Sequence, residues 1–183
     1  MDAYGLGGQS FVNPEITARQ FGLQKGMKVA DLGVGRGFYA EIVARLVGET
    51  GIVTCADVIQ DALDHLRASA SAKGLHQMRF VRCDLEVTGS TQLPDNSQDF
   101  ALLANVLFQS QKKDMILREA YRILQPGGRL CVIDWRPGSG GFGAPENLRT
   151  SAEEMTRLAT SVGFRPLSTI DVGGFHYGLM FIK

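Results

Sequence analysis

Short apolar runs alternate with longer amphipathic segments along most of the chain. The apolar runs predict β-strands over residues 27–32, 51–56, 78–83, 100–104, 129–133, 166–171 and 176–182. Apolar residues at helical spacing predict helices over residues 39–47, 61–72, 112–124 and 151–163, and a short helix begins at Asn13 and Pro14. Strands that alternate with helices predict a mostly parallel sheet with helices on both faces.

The end of the chain departs from this alternation. Gly173 and Gly174 join the last two predicted strands where a helix would otherwise stand, which predicts an antiparallel hairpin. We therefore predict one α/β domain over residues 1–183, with a Rossmann-like, doubly wound, seven-stranded sheet and a C-terminal antiparallel hairpin. Residues 1–12 are predicted to form a flexible N-terminal segment, and the glycine-rich residues 137–145 a flexible loop.

Charge, hydropathy and cysteine content narrow the range of functions. Basic and acidic side chains number 19 each, so the formal net charge is zero, which disfavours nucleic acid as a partner. No apolar run is long enough to span a bilayer, and the first residues lack the basic and apolar regions of a secretory signal. Cys55, Cys83 and Cys131 are widely spaced within apolar runs, which favours buried, reduced thiols and a cytoplasmic location.

The strongest candidate site is the turn that follows the first predicted strand. Asp31 ends the apolar run, and three glycines follow at alternate positions, namely Gly33, Gly35 and Gly37. Glycine lets a ligand approach the main chain closely, and the free N–H groups at the start of a helix favour an anionic group. A dinucleotide fingerprint would need its third glycine where Phe38 stands, which argues against a nicotinamide cofactor.

Further acids end the next two predicted strands. Asp57 ends the second strand, where a carboxylate can accept hydrogen bonds from both hydroxyls of a ribose. Asp84 ends the third strand, where it is placed to accept from the exocyclic amine of an adenine. Either acid alone could equally cap a helix or lie in a solvated loop. Three acids at successive strand ends beside a glycine turn favour a nucleoside-type ligand.

Several segments, in chain order, resemble the class I S-adenosylmethionine (SAM)-dependent methyltransferases. The glycine turn is similar to motif I of that family, and residues 99–108 (DFALLANVLF) are similar to its fourth motif. Residues 116–130 (ILREAYRILQPGGRL) resemble its helix, Pro-Gly-Gly and strand segment, and residues 151–164 its late helix ending in Gly-Phe. The resemblance covers roughly residues 11–183 and is close to the small-molecule branch that includes ubiquinone/menaquinone-biosynthesis-type methyltransferases.

The resemblance implies that SAM is the cofactor and S-adenosylhomocysteine the product. The glycine turn would border the methionine part of SAM, Asp57 would bind the ribose, and Asn105 would lie beside the reactive methyl group. Val58 and Ile59 would pack on the adenine, whose edge Asp84 and Leu85 would hold. The implied cofactor-binding residues are Asp31, Gly33, Gly35, Gly37, Phe38, Asp57, Val58, Asp84, Leu85 and Asn105. Arg36 departs from the family, which often has a small residue or proline at this position.

Candidates for catalysis are His176, as a general base for a hydroxyl or acidic C–H acceptor, and Tyr39 beside the glycine turn. A lone histidine in an apolar strand is more often structural. Trp135, Arg136 and Arg149 border the glycine-rich loop, where they would either contact an anionic or aromatic acceptor or lie as a solvated rim. The histidines have no metal-ligand spacing, so no metal site is expected.

Several functions stay open at this point. The first is a methyltransferase of a small-molecule acceptor. A catalytically idle SAM-binding module and a methyltransferase of a protein or nucleic acid are the alternatives, because the chain has little sequence beyond the minimal fold. Arsenic methyltransferases use cysteine trios, but nothing else in the sequence supports that acceptor. A homodimer is also possible.

Overall fold

One seven-stranded sheet organises residues 12–183, the part of the chain that the computed structural model describes. The predicted flexible segment therefore lies, except for Val12, outside the described residues. The strands are β1 (Lys28–Leu32), β2 (Ile52–Asp57), β3 (Met78–Arg82), β4 (Gln98–Ala104), β5 (Leu124–Trp135), β6 (Arg165–Ile170) and β7 (His176–Ile182). The helices are α1 (Pro14–Arg19), α2 (Ala40–Val47), α3 (Gln60–Ala72), α4 (Lys113–Ile123) and α5 (Ala152–Val162).

The strand order is β3-β2-β1-β4-β5-β7-β6. Strands β1 to β5 pair in parallel, while β7 pairs antiparallel with both β5 and β6. This topology confirms the predicted doubly wound sheet with a C-terminal hairpin. The chain leaves β1 toward β2 on one side and returns to β4 on the other. A crevice beyond the carboxyl ends of β1 and β4 is therefore the expected place for a ligand.

The helices bury two separate apolar layers. Residues of α1, α2 and α3 pack on one face of the sheet around Phe21, Val43 and Leu66. Residues of α4 and α5 pack on the other face around Leu117 and Met155. Strand residues alternate between the two layers, as a sheet covered on both faces requires. Within residues 12–183, no helix is long and apolar enough to cross a bilayer.

Local signals explain several helix ends. Asn13 Oδ1 accepts hydrogen bonds from the N–H groups of Glu15 and Ile16 and so caps α1, which has Pro14 at its first position. Ser151 Oγ accepts from the N–H of Glu154 at the start of α5. Both caps were predictable, since each uses a side chain within three residues of the donor.

The fifth strand is longer than its apolar run predicts. It begins at Leu124 and includes the Pro-Gly-Gly segment, because Gln98 pairs with Leu124 and Phe100 with Arg129 around an irregularity in the ladder. On the other side, the N–H of Lys183 donates to the carbonyl of Gly128. Main-chain pairing with two neighbouring segments thus extends the strand through residues whose side chains carry no strand signal.

Candidate active site

A cavity of about 600 Å³ lies beyond the carboxyl ends of β1, β2, β3 and β4. Its position is that expected for a ligand site in an open α/β sheet. The walls come from the glycine turn, the ends of β2 and β3, the segment after β4, and one residue of α4. The lining residues are Gly33, Val34, Gly35, Arg36, Phe38, Asp57, Val58, Ile59, Cys83, Asp84, Leu85, Glu86, Ala104, Asn105, Val106, Gln109, Ser110 and Ile116.

Eight of the ten residues predicted to bind a cofactor line this cavity. They are Gly33, Gly35, Phe38, Asp57, Val58, Asp84, Leu85 and Asn105. Asp31 and Gly37 do not line it. The fold therefore brings together residues from four separate strand ends, as predicted, while the contact of each with a cofactor stays a prediction.

The glycine turn is fastened to the end of β2. The N–H groups of Gly33 and Val34 both donate to the carbonyl of Ala56, at 2.8 and 3.0 Å. The N–H of Gly35 donates to Asp57 Oδ2 at 2.7 Å, and the N–H of Ile59 donates to Asp57 Oδ1 at 3.0 Å. Each carboxylate oxygen keeps a further lone pair. Asp57 can therefore hold the turn and accept from a ligand at the same time.

Gly35 and Gly37 differ in what lies beside them. Both have positive φ, +51° at Gly35 and +76° at Gly37. A Cβ on Gly35 would meet no heavy atom of the described residues within 4 Å, whereas a Cβ on Gly37 would lie 2.4 Å from Leu66 Cδ1. Gly37 therefore allows the turn to pack against α3, and Gly35 borders the open cavity.

This difference predicts effects of different size for the two alanine substitutions. Gly37→Ala should lower the free energy of unfolding by about 2–4 kcal/mol, because the strained φ and the overlap with Leu66 add together. Gly35→Ala has the same kind of backbone cost without the overlap, so it should lose about 1 kcal/mol. Urea unfolding measures both values. A larger loss in Gly35→Ala than in Gly37→Ala would contradict the placement.

Asp31 lies beneath the turn. Its side chain is only 3% exposed at the end of β1. Burial, with a smaller contribution from the charge of Asp57, raises the pKa of Asp31 to about 7. The folded state thus binds the carboxyl proton of Asp31 more tightly than the unfolded chain does. The contribution of protonated Asp31 to stability is greatest in acid and is lost as the pH rises from about 4 to about 7.

Asn105 combines backbone strain with an unpaired acceptor at the cavity wall. Its φ is +58°, which is uncommon outside glycine, and its N–H donates to the carbonyl of Ile133 at 2.8 Å. Its own carbonyl accepts from Gln109 Nε2 at 3.0 Å. Within residues 12–183, the buried Oδ1 has no hydrogen-bond partner. Strain and an unsatisfied polar atom at one residue are typical of a functional position.

Two loops meet at the cavity wall in a contact that the sequence did not indicate. Ser110 Oγ donates to Glu86 Oε1 at 2.7 Å and accepts from the N–H of Lys112 at 2.8 Å. Lys112 Nζ lies 3.2 Å from Glu86 Oε2. Hydrogen bonds from Ser110 and Lys112 lower the pKa of Glu86. The contact joins the loops after β3 and β4. Its partners are too far apart in sequence to give a pattern.

Comparison with known proteins identifies the family. Residues 30–132 match the family model described as a methyltransferase domain. The chain belongs to this methyltransferase family. An arsenite methyltransferase of Aquipseudomonas alcaligenes is 37% identical over 136 residues, 68% of this chain and 39% of that protein. A ubiquinone/menaquinone biosynthesis C-methyltransferase of Psychromonas ingrahamii is 36% identical over 115 residues, 62% of this chain and 45% of that protein. The chain thus spans less than half the length of these two relatives.

A solved structure is similar over nearly the whole length of both chains. A SAM-dependent methyltransferase from Aquifex aeolicus superposes with a TM-score of 0.85 at 27% identity, covering 94% of this chain and 90% of that one. The agreement extends beyond the residues of the family match, to the C-terminal hairpin.

Neither predicted catalytic side chain lines the cavity. Tyr39 is buried in the core with its ring centroid 5.7 Å from that of Phe21, and burial raises the pKa of its phenol. His176 begins β7, is 3% exposed and lies 4.1 Å from Trp135 between ring centroids. Burial lowers the pKa of His176 to about 4, so the imidazole is neutral at physiological pH. Catalysis by either residue stays a prediction.

The solvated rim proposed for Arg149 is wrong, and the loop beside it is held in place. The Arg149 side chain is 2% exposed. Its donors reach five acceptors, namely the carbonyls of Arg136, Gly140, Phe142 and Ala144 and the hydroxyl of Ser139. Glycine-rich chain can curl so that several carbonyls converge on one guanidinium, which a pattern of residue types does not reveal. Arg136 is exposed and donates to the carbonyl of His176.

The three thiols of the chain do not converge. Cys55 on β2 and Cys131 on β5 belong to one apolar layer, and Cys83 belongs to the other. Strands β2 and β5 are separated by β1 and β4, which places their backbones roughly 14 Å apart. Burial raises the pKa of all three thiols, that of Cys83 to about 11. Within residues 12–183, no group of three His, Cys, Asp or Glu side chains could hold a metal ion.

Proposed function

We propose that this chain is a SAM-dependent methyltransferase that acts on a small-molecule acceptor and releases S-adenosylhomocysteine. The observation that carries the proposal is the cavity at the four strand ends, whose walls hold a carboxylate, apolar side chains and open main chain suited to the parts of SAM. Its volume is also in the usual range for a cofactor site. Family membership and the likeness to the Aquifex aeolicus methyltransferase support the same conclusion.

The residues present fit SAM. The Asp57 carboxylate can accept from the vicinal hydroxyls of the ribose, as both of its oxygens keep a lone pair. Val58 and Ile59, which are 56% and 59% exposed, offer apolar surface to the adenine. The open space beside Gly35 admits the methionine end close to the main chain.

Bound SAM supplies a methyl group that its sulfonium already activates for in-line attack. The protein then has to align the acceptor with that methyl group and exclude water. Asn105 and Val106 lie at the wall nearest to β5, where an acceptor would approach. The apolar side chains of Val106, Ile116 and Leu85 make this part of the cavity suited to a reaction in which charge is neutralised.

A small organic acceptor is favoured over the alternatives. The curated relatives act, by their names, on arsenite and in ubiquinone and menaquinone biosynthesis. The separation of the three thiols disfavours arsenite, which would need several of them at one place. The zero net charge disfavours nucleic acid. A cytoplasmic location and a homodimer stay predictions.

The first test is calorimetric titration with SAM and S-adenosylhomocysteine, with NAD as the control ligand. Micromolar binding of either adenosyl compound and none of NAD is expected. A folded protein that binds neither would contradict the proposal. If both bind but no acceptor, small or macromolecular, yields S-adenosylhomocysteine, the chain is an idle SAM-binding module. Methylation of a protein or nucleic acid, but of no small molecule, would mean that the acceptor is a macromolecule.

A further inference from the structure

The guanidinium of Arg36 borders the cavity at the strand ends and has no partner. Arg36 follows Gly35 in the glycine turn, is exposed and lines this cavity. Within residues 12–183, its side chain makes no hydrogen bond and no ion pair. The charge of Arg36 therefore stabilises no other part of the described structure, and its use has to be sought in a ligand.

A second cavity, of about 360 Å³, lies on the other side of Arg36. Two acids line it, Glu15 and Glu41, and both are already paired. Glu15 lies 2.6 Å from the guanidinium of Arg45, and Glu41 lies 2.5 Å from the ammonium of Lys73. Because these acids have their cations, the second cavity offers Arg36 no partner. The cavity at the strand ends is where an anionic group of a ligand would meet it.

The walls of the cavity at the strand ends are mainly acidic. Among the described residues that line it, Arg36 is the only basic one, whereas Asp57, Asp84 and Glu86 are acids. SAM carries two positive groups, the sulfonium and the ammonium, and one negative group, the carboxylate. Acidic walls attract the first two and repel the third. The carboxylate is therefore the part of SAM that most needs a partner in this cavity.

Most main-chain donors of the glycine turn are already engaged. The N–H groups of Gly33, Val34 and Gly35 donate to acceptors at the end of β2, and that of Gly37 donates to the carbonyl of Val34. The N-terminus of α2 does not replace them, because no residue of this helix lines the cavity. The protein itself thus holds N–H groups that were predicted to favour an anionic group. A side-chain cation suits that group better.

We propose that the Arg36 guanidinium binds the carboxylate of the methionine part of SAM, so that the cavity selects adenosyl ligands that carry a carboxylate. A planar guanidinium can donate two parallel N–H groups to the two carboxylate oxygens, which is stronger than a single hydrogen bond. Arg36 directly follows Gly35, whose open side admits the methionine end. The inference rests on the proposed function, because it concerns the same ligand in the same cavity.

Two ligands that differ only in the carboxylate isolate this contact. S-adenosylhomocysteine and its decarboxylated form share the adenosine, the thioether and the amine. In calorimetric titration, the wild type should bind the decarboxylated ligand about 10-fold or more weakly, since a charge-assisted pair is missing. In Arg36→Ala this ratio should fall to about twofold or less, because only the affinity for S-adenosylhomocysteine drops. Arg36→Lys keeps the charge without the planar fork, so its ratio should lie between the two.

Arg79→Ala is the matched control for the loss of charge. Arg79 on β3 is exposed, and its side chain has no hydrogen bond or ion pair among the described residues. It does not line the cavity at the strand ends. Its substitution removes the same charge from the protein as Arg36→Ala does, but at a distance where solvent and salt screen it. The ligand ratio of Arg79→Ala should therefore stay within about twofold of wild type.

An equal loss of affinity for both ligands in Arg36→Ala would mean that the side chain only supports the turn, and would overturn the inference. The wild-type ratio in Arg36→Ala, or an equal fall of the ratio in Arg79→Ala, would overturn it as well. The wild type separates this inference from the proposed function. Binding of S-adenosylhomocysteine with no preference over the decarboxylated ligand ends this inference alone. Binding of neither ligand ends the proposed function, and this inference with it.

Discussion

Replacing Asp57 with alanine should weaken SAM binding about 10- to 100-fold, because charge-assisted hydrogen bonds to the two ribose hydroxyls are lost. The same change frees the N–H groups of Gly35 and Ile59, which the carboxylate holds at 2.7 and 3.0 Å. The turn that borders the cavity would keep its bonds to Ala56 but lose the one from Gly35, so the binding enthalpy should become less favourable as well. Calorimetric titration of SAM into both proteins measures the two effects.

Asp61→Ala is the matched control for this substitution. Asp61 lies four residues further along, exposed in the first turn of α3, and does not line the cavity. Asp61→Ala should leave the SAM affinity within about twofold of wild type. His176→Ala should do the same, because the imidazole lies outside the cavity wall. Equal losses in Asp57→Ala and His176→Ala, or none in Asp57→Ala, would place SAM elsewhere.

The sheet and the general position of the site could be predicted because they depend on local patterns. Apolar runs between polar turns define the strands, and a parallel sheet brings their carboxyl ends to one edge. Asp57 and Asp84 reach the cavity for that reason alone. No contact between distant residues had to be known.

Which of the turn's glycines faces the cavity could not be predicted in this way. Gly35 and Gly37 are two residues apart with φ of the same sign, yet one borders the cavity and the other packs on Leu66. Which of them faces the ligand depends on where α3 lies. Arg149 illustrates the same limit, since its environment arises from carbonyls that converge only after the loop has folded.

Glu119→Ala should cost about 3–5 kcal/mol of the free energy of unfolding, the largest effect on stability that we expect from a single side chain. Glu119 on α4 is fully buried. Its carboxylate accepts from Arg122 Nε at 2.9 Å and Nη2 at 2.7 Å, from Thr91 Oγ1 at 2.5 Å and from the N–H of Gly89 at 2.8 Å. Its removal leaves the partly buried Arg122 with Asp95 as its remaining carboxylate partner and leaves the other donors to Glu119 unpaired.

A surface ion pair of the same spacing is the control. Glu154 and Arg157 on α5 are also three residues apart, but their side chains are 40% and 76% exposed. Glu154→Ala should therefore change the free energy of unfolding by at most about 0.5 kcal/mol in the same urea experiment. In sequence the two pairs look alike. They differ because the chain between β3 and β4 folds over Glu119, as its bonds to Gly89 and Thr91 show.

The pH dependence of stability provides an independent measurement of Glu119. Although burial alone would favour the neutral acid, the hydrogen bonds from Arg122, Thr91 and Gly89 lower its pKa to about 2, below the ordinary value of 4.5. A carboxyl whose pKa is lower in the folded state stabilises the fold fully above pH 4.5, and this contribution is lost as the pH falls toward 2. Glu119→Gln removes the ionisable group, so the loss of stability between pH 5 and pH 3 should be smaller than in the wild type. The same acid dependence in both proteins would mean that Glu119 is not held ionised. The hydrogen bond from Gly89 would then lack its charge, and it would hold the loop that carries Leu85 and Glu86 at the cavity wall less strongly.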